Sequence, residues 1–328
     1  MSKQVCLSLM SQLADGRFHS GQKLAESLGI TRAAIWKNIK NLERMGLELH
    51  AVRGKGYQLQ QPLDLLDEGI IRHELATKGM DHVQLDIHSE VDSTNRVLLT
   101  ELEQGLEQSG HVCLAESQTS GRGRRGREWV SPFAGNIYMS VNWCYRLSPS
   151  ALSGLSLALG VAVMRVLSAY VGQGLGLKWP NDIYYQGKKL GGILVEITGE
   201  SNGPCCVVAG LGVNQFIPVQ ASACIDQPWV ALSQIIDADM PPRNKLVAEL
   251  IHQFFDVLNT FQQTGFCVYV DEWNQWDIYK NRQVTLTGIN GKLQGIASGI
   301  NADGCLLLNT GHQIEVIGSG EISLRADA

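Results

Sequence analysis

The chain has 328 residues, 44% hydrophobic and 18% charged, with a formal net charge of −5. That length accommodates two or three domains, each with its own core, and the composition is that of a soluble globular protein without a low-complexity tract or repeat. The first residues, Met1 to Ser8, lack the basic-then-apolar layout of a signal peptide. The eight cysteines are scattered without C-x-x-C or metal-ligand spacing, which reads as reduced thiols in a cytoplasm. The charge is uneven: residues 1–62 hold nine Lys/Arg against four acids, so a head of +5 sits on a body of −10. A basic head on an acidic body points to a polyanion met by the head alone.

In the head, Val5, Leu9 and Leu13 fall at helical spacing, and Gly16 ends that helix. Ser20 can cap a second helix whose inner face is Leu24, Ala25 and Leu28. Thr31 can cap a third, with Ile35, Ile39 and Leu42 inward and Arg32, Ala33, Trp36, Lys37 and Lys40 outward. Leu47–Val52 alternates as a strand, Arg53–Gly56 turns, and Tyr57–Leu59 returns. Three short helices and a hairpin predict a winged helix-turn-helix over residues 1–62, its third helix entering the major groove of DNA. Arg32 and Trp36 sit where base contacts arise, with Ala33 beside them on the DNA-facing side, while Lys37, Lys40, Arg53 and Lys55 suit phosphates. A helical protein-docking domain is the alternative, which the charge asymmetry disfavours.

Residues 63–278 read as a second domain. Leu65 to Leu75 suggests a helix, Val83–His88 a strand, and Ser93-Thr94-Asn95 the start of another helix. Those polar groups are either helix caps or contacts for a polar ligand. Val112–Ala115 and Asn136–Val141 are strands on either side of an arginine loop. Ala151–Val171 is long and apolar but carries Arg165 at its middle, which makes a membrane span costly and predicts a buried helix. Lys178-Trp-Pro-Asn181-Asp182 forms a turn, Ile183–Tyr185 and Lys188–Glu196 a hairpin with Lys189 at the head of its second strand. Val207–Asn214 is an apolar strand whose glycines allow close approach of a ligand. From 279 to 328, five short strands (Val284–Thr287, Leu293–Ile300, Cys305–Leu308, Ile314–Ile317, Ile322–Arg325) predict a small β-barrel.

The arginine loop, Gly121-Arg-Gly-Arg-Arg-Gly-Arg-Glu-Trp129, interleaves Arg122, Arg124, Arg125 and Arg127 with Gly121, Gly123 and Gly126. Arginine offers a fixed fork of donors for carboxylate and phosphate, and glycine lets a backbone approach an anion. The run reads either as a loop for a small anionic ligand with an aromatic part or as exposed basic surface. Its G-x-G-x-x-G spelling is not a dinucleotide fingerprint. Polar Glu116–Ser120 precedes it where an apolar strand should lie, and arginines occupy positions that should pack.

The GRGRRGREW loop, KWPND at 178–182, KLGGIL at 189–194, Ser93-Thr94-Asn95, Gln118, Asn214 and EISLR at 321–325 together closely resemble the bifunctional biotin–protein ligases that are also biotin operon repressors. The resemblance spans essentially the whole chain. It implies an α/β multidomain protein: a winged helix-turn-helix, a central mixed β-sheet flanked by helices and shared with lipoate ligases, and a C-terminal SH3-like barrel. It implies formation of biotinyl-5′-AMP from biotin and Mg-ATP, then transfer of biotin to a lysine of a biotin carboxyl carrier protein, the acceptor domain of acetyl-CoA carboxylase. Ser93, Thr94, Asn95 and Gln118 would hold biotin's polar head, and Gly121, Arg122, Gly123 and Arg124 would wrap the ligand. Lys189, Arg122 and Arg124 would act at the reacting junction. Trp129 would stack on adenine, Asn214 would reach the nucleotide, and Lys178, Asn181 and Asp182 would shape the phosphate side. The metal ligands are left undefined. The adenylate-bound form would be a cytoplasmic homodimer on operator DNA, with no membrane partner.

Overall fold

The structure is a computed structural model that describes residues 3–44, 46–106, 109–236, 240–288, 291–318 and 323–326. In the head, α1 (Lys3–Leu13), α2 (Gly21–Ser27) and α3 (Arg32–Arg44) precede a hairpin of β1 (Leu49–Val52) and β2 (Gly56–Leu59). The predicted caps form: Ser20 Oγ accepts from the Gln22 amide at 3.3 Å and Thr31 Oγ1 from the Ala34 amide at 3.2 Å. Leu9, Leu13, Leu24, Ile35, Ile39 and Leu42 are buried together, as their spacing requires. Phe133, four residues beyond the arginine loop, is buried in this same cluster. The winged helix therefore closes its core with a side chain from the second domain.

The second domain contributes α4 (Glu68–Ala76), β3 (Gln84–His88), α5 (Thr94–Glu103), β4 (His111–Ala115), β5 (Ile137–Tyr145), α6 (Leu155–Val171), β6 (Leu175–Lys178), β7 (Asp182–Tyr185), β8 (Lys188–Gly199), β9 (Cys205–Val213), α7 (Val219–Ser222), α8 (Arg243–Thr264) and α9 (Val270–Trp276). Its seven strands run in the order β3-β4-β5-β9-β8-β7-β6, parallel only between β3 and β4 among the described pairings. The helix expected from Leu65 starts later, because Asp67 caps it by accepting from the Ile70 amide at 2.9 Å. Leu66 instead donates its backbone N–H to Glu116 at 2.6 Å.

Strand β9 explains the layering. Val207, Ala209, Leu211 and Val213 enter the main core, where α6 and α8 pack. Cys206, Val208, Gly210 and Gly212 alternate with them and face the side on which α5 lies. The stretch Pro149–Val171, which contains α6, is long and apolar enough to cross a bilayer, yet most of it is buried inside the molecule. Its Arg165 reaches out to pair with Glu272 at 2.7 Å.

Cys144 and Cys206 form a disulfide, a correction to the expectation of eight reduced thiols. They are 62 residues apart, and no sequence motif links them. The register of β5 and β9 sets them directly opposite, with Cα atoms 3.9 Å apart.

The C-terminal unit holds β10 (Gln283–Gly288), β11 (Gly291–Ile300), β12 (Leu306–Asn309), β13 (Ile314–Ile317) and β14 (Ser323–Ala326), antiparallel in the order β13-β12-β11-β10-β14. These are the five predicted strands within a few residues; Glu321 and Ile322 lie outside the described residues. Val284, Leu286, Ala297 and Leu306 join the main core. Trp179 donates its indole N–H to the Gly304 carbonyl at 3.0 Å, tying the KWPND turn to this unit.

Candidate active site

A cavity of about 420 Å³ opens beside the N-terminus of α5, and most of the sequence-predicted residues meet there from five parts of the chain. Ser93, Thr94 and Asn95 bring the first turn of α5, and Gln118 follows β4. Arg122, Gly123, Arg124 and Trp129 come from the arginine loop, Lys178, Asn181 and Asp182 from the β6–β7 turn, and Lys189 from β8.

The hydroxyls at the start of α5 do not cap it. Ser93 stands at the N-cap position without a side-chain capping bond. The Thr94 and Asn95 side chains instead join a polar network under the cavity. Ser140 Oγ lies 2.7 Å from Thr94 Oγ1 and 2.6 Å from Asn95 Oδ1. The Thr94 amide donates to Gln118 Oε1 at 2.9 Å, and Gln118 Nε2 donates to Ser131 Oγ at 3.0 Å. A buried network is stiff when each member finds a partner.

The arginine loop is a small hairpin. Trp129 donates its backbone N–H to the Gly121 carbonyl at 2.9 Å, and Gly123 donates to that of Arg127 at 2.8 Å. Gly121 lies behind the cavity wall, where any Cβ would overlap the Trp129 carbonyl. Arg122 Nη1 pairs with Glu196 at 3.0 Å, and Arg124 Nη1 donates to Asn181 Oδ1 at 3.3 Å. Burial, then the charge of Arg125, lowers the Arg124 pKa from its ordinary value, and nearby Asp182 opposes that shift. Negative charge arriving in the cavity would favour the charged form.

Lys189 Nζ is held 2.8 Å from Asp182 Oδ1 and lies 5.4 Å from the centre of the Trp129 ring. That ring packs against Gly212, where a Cβ would come within 2.6 Å of it. Gly210 similarly leaves room for the Asn95 amide. The glycines of β9 thus admit the chain's own side chains to the floor of the cavity. Lys178 lies against the rings of Tyr184 and Tyr279, 5.1 and 5.9 Å from their centres. Burial raises the Tyr184 pKa, so its hydroxyl stays protonated.

Asn214 stands apart from this group. Its Nδ2 donates to the Lys189 and Val230 carbonyls at 3.4 and 3.2 Å, and it borders a small adjoining cavity of about 50 Å³. It braces the strand segment that carries Lys189. Several contributors carry no motif signal. Ser131, Ser140 and Glu196 show their roles only through register and contact. Arg243, 1% exposed, pairs with Glu116 at 2.6 Å and donates to the Asn136 carbonyl, anchoring both strands that flank the loop.

On the winged helix, Arg32, Ala33, Trp36, Lys37 and Lys40 all lie on the exposed face of α3, and Trp36 is 57% exposed. Arg53 and Lys55 are exposed at the hairpin tip, with Lys55 over the Phe18 ring.

The profile of the biotin/lipoate A/B protein ligase family matches residues 88–214, an HTH domain matches residues 7–58, and the biotin protein ligase C-terminal domain matches residues 280–325. The chain is 40% identical over 323 residues to the bifunctional ligase/repressor BirA of Salmonella typhimurium, covering 98% of each chain. It is 31% identical over 269 residues to the biotin–[acetyl-CoA-carboxylase] ligase of Mycobacterium tuberculosis, covering 78% of this chain and 95% of that one. The biotin protein ligase of Aquifex aeolicus, solved in complex with biotin and ATP, superposes with a TM-score of 0.62 at 30% identity, over 74% of this chain and 99% of that one. With an HTH head, a ligase sheet and the family's C-terminal domain in one chain, the protein belongs to the family of BirA-type bifunctional biotin ligase/repressors.

Proposed function

We propose that the chain activates biotin with ATP to biotinyl-5′-AMP, transfers biotin to a lysine of a carboxyl carrier domain, and represses transcription as an adenylate-bound dimer. The observation that carries this reading is the convergence of Lys189, Arg122 and Arg124 on one cavity floored by the Thr94–Asn95 network. In the first step a biotin carboxylate oxygen attacks the α-phosphorus of ATP, and the bond to the β-phosphate breaks as pyrophosphate leaves. Both reactants are anions. Fixed cations at their junction offset the repulsion and stabilise charge developing on phosphorus. Asp182 holds the Lys189 ammonium in place, so little reorganisation is needed at the moment of reaction. In the second step the neutral amine of the acceptor lysine attacks the acyl carbon and AMP departs. Thr94, Asn95 and Gln118 suit a polar bicyclic head, and Trp129 offers adenine a flat face. Asp182 and Asp226, on the cavity wall, are the carboxylates that would hold a magnesium ion accompanying ATP, which would supply further neutralisation of phosphate charge.

The second activity uses the same loop. Four arginines in one short hairpin repel one another, and the adenylate supplies compensating negative charge. That added charge tightens a loop already tied to Glu196 and Asn181, and the tightened loop completes a surface for a second copy, so that two winged helices grip two half-sites. A tenfold tighter dimer needs about 1.4 kcal/mol of differential binding. The carrier domain competes for that surface, and a cytoplasmic setting is the one in which a carrier protein and operator DNA are both within reach. Pyrophosphate release with biotin or lipoate as the acid tests the assignment. Release with biotin supports it; release with lipoate alone reassigns the substrate.

A further inference from the structure

Glu196, on β8, divides its carboxylate between two parts of the site. Oε2 accepts from Asn95 Nδ2 at 2.8 Å, and Oε1 pairs with Arg122 Nη1 at 3.0 Å. The Asn95 amide is oriented independently. Its nitrogen also donates to the Leu194 carbonyl at 3.3 Å, a group that can only accept, and its oxygen faces Ser140. Glu196 therefore meets an amide whose donor is already turned towards it. Its side chain is 21% exposed and that of Arg122 is 45% exposed, so the pair is partly shielded from water.

The hydrogen bonds return to the loop by a second route. From Asn95 they pass through Ser140, Thr94 and Gln118 to Ser131. Ser131 Oγ donates to the Trp129 carbonyl at 2.8 Å, and the Trp129 amide donates to Gly121, the neighbour of Arg122. Glu196 supplies the carboxylate that closes this circuit.

We propose that Glu196 is a positioning residue, a latch that ties the arginine loop to the Asn95 end of the cavity so that one displacement moves both. The inference rests on reading Asn95 and Arg122 as ligand-binding residues. Glu196→Gln keeps an oxygen acceptor for Asn95 and removes the charge that holds Arg122. Glu196→Asp keeps the charge but loses the reach to span both partners.

The test uses the full chain and two readouts. Trypsin cleavage after the loop arginines reports the latch in the protein alone; KM and kcat for biotin in pyrophosphate release report its effect on the site. Glu196→Gln is expected to speed cleavage about three- to tenfold and to raise KM by a similar factor. Its kcat should fall by less than KM rises, because only Arg122 loses its partner while Lys189 and Arg124 keep Asp182 and Asn181. Glu196→Asp should restore slow cleavage in part. A residue that only supports the fold would leave the loop's susceptibility unchanged below the melting temperature. Cleavage and KM both at the parent's values in Glu196→Gln, with KM raised in Asn95→Ala, overturn the latch. Faster cleavage in Glu196→Gln with KM unchanged in Asn95→Ala supports the latch and overturns the ligand-site reading.

Discussion

The basic residues of the winged helix and those of the arginine loop share their chemistry and differ in their surroundings. Arg32, Lys37, Arg53 and Lys55 project from exposed positions on α3 and the hairpin tip. Arg122, Arg124 and Lys189 each meet an acidic or amide partner, Glu196, Asn181 and Asp182 respectively. A polyanion attracts charge over several ångströms and tolerates mobile, hydrated side chains. A small ligand rewards charge fixed in advance, because the cost of ordering is then met in folding and not in binding. Phe133 joins the two regions, since it follows the loop in sequence and is buried in the winged-helix core.

Breaking the preorganised side should have the largest effect. Lys189→Gln is expected to slow adenylate formation by about 10²–10³-fold in single-turnover pyrophosphate release, the scale for loss of one electrostatic stabiliser. A loss under tenfold would mean that Lys189 does not face the reacting junction. Phe133→Ala should cost about 3 kcal/mol in chemical denaturation of the head and should also weaken operator binding. If only ligation suffers, the contact does not join the two regions. Arg124→Gly should speed loss of bound adenylate by about tenfold, some 1.4 kcal/mol, and slow its formation less; a variant that retains the adenylate as tightly as the parent would remove Arg124 from that role.

The exposed side should respond differently. Arg53→Ala is expected to lower the salt dependence of operator binding by about one unit of slope while ligation is unchanged. An unchanged slope would remove the hairpin tip from the interface. The smallest effect concerns Asp277, beside the C-terminal unit, whose carboxyl burial pushes up to about 6. A raised folded-state value means that this group favours folding below the unfolded-state value of about 3.9 and loses that contribution as pH rises through 6. Asp277→Asn, which keeps an acceptor for the Tyr279 amide, should therefore raise Tm by about 2 °C at pH 8 and leave it unchanged at pH 4.

Much of this was legible in the residues themselves. The periodicity of Leu9, Leu13, Ile35 and Ile39 specifies the winged helix, because a short helix buries one stripe and exposes the other. Local spelling also singles out the arginine loop, and the company of Lys189 and Trp129 in one cavity separates it from plain basic surface. What lay hidden depends on partners distant in sequence. Glu196 meets Asn95 across 101 positions, and Arg243 reaches Glu116 across 127. The Cys144–Cys206 pair follows from strand register, which no local pattern states. Asn214 shows the reverse case: conspicuous in its motif, its side chain bonds to the Lys189 and Val230 carbonyls at the edge of the small adjoining cavity.

Central to the account is biotinyl transfer through an adenylate held in this cavity. The most direct test incubates the full chain with biotin, ATP and a carboxyl carrier domain and follows the carrier's mass. The expected result is a gain of one biotinyl group, dependent on ATP and slowed by about 10²–10³-fold in Lys189→Gln. An unmodified carrier, or one that accepts a lipoyl group and no biotin, would contradict it.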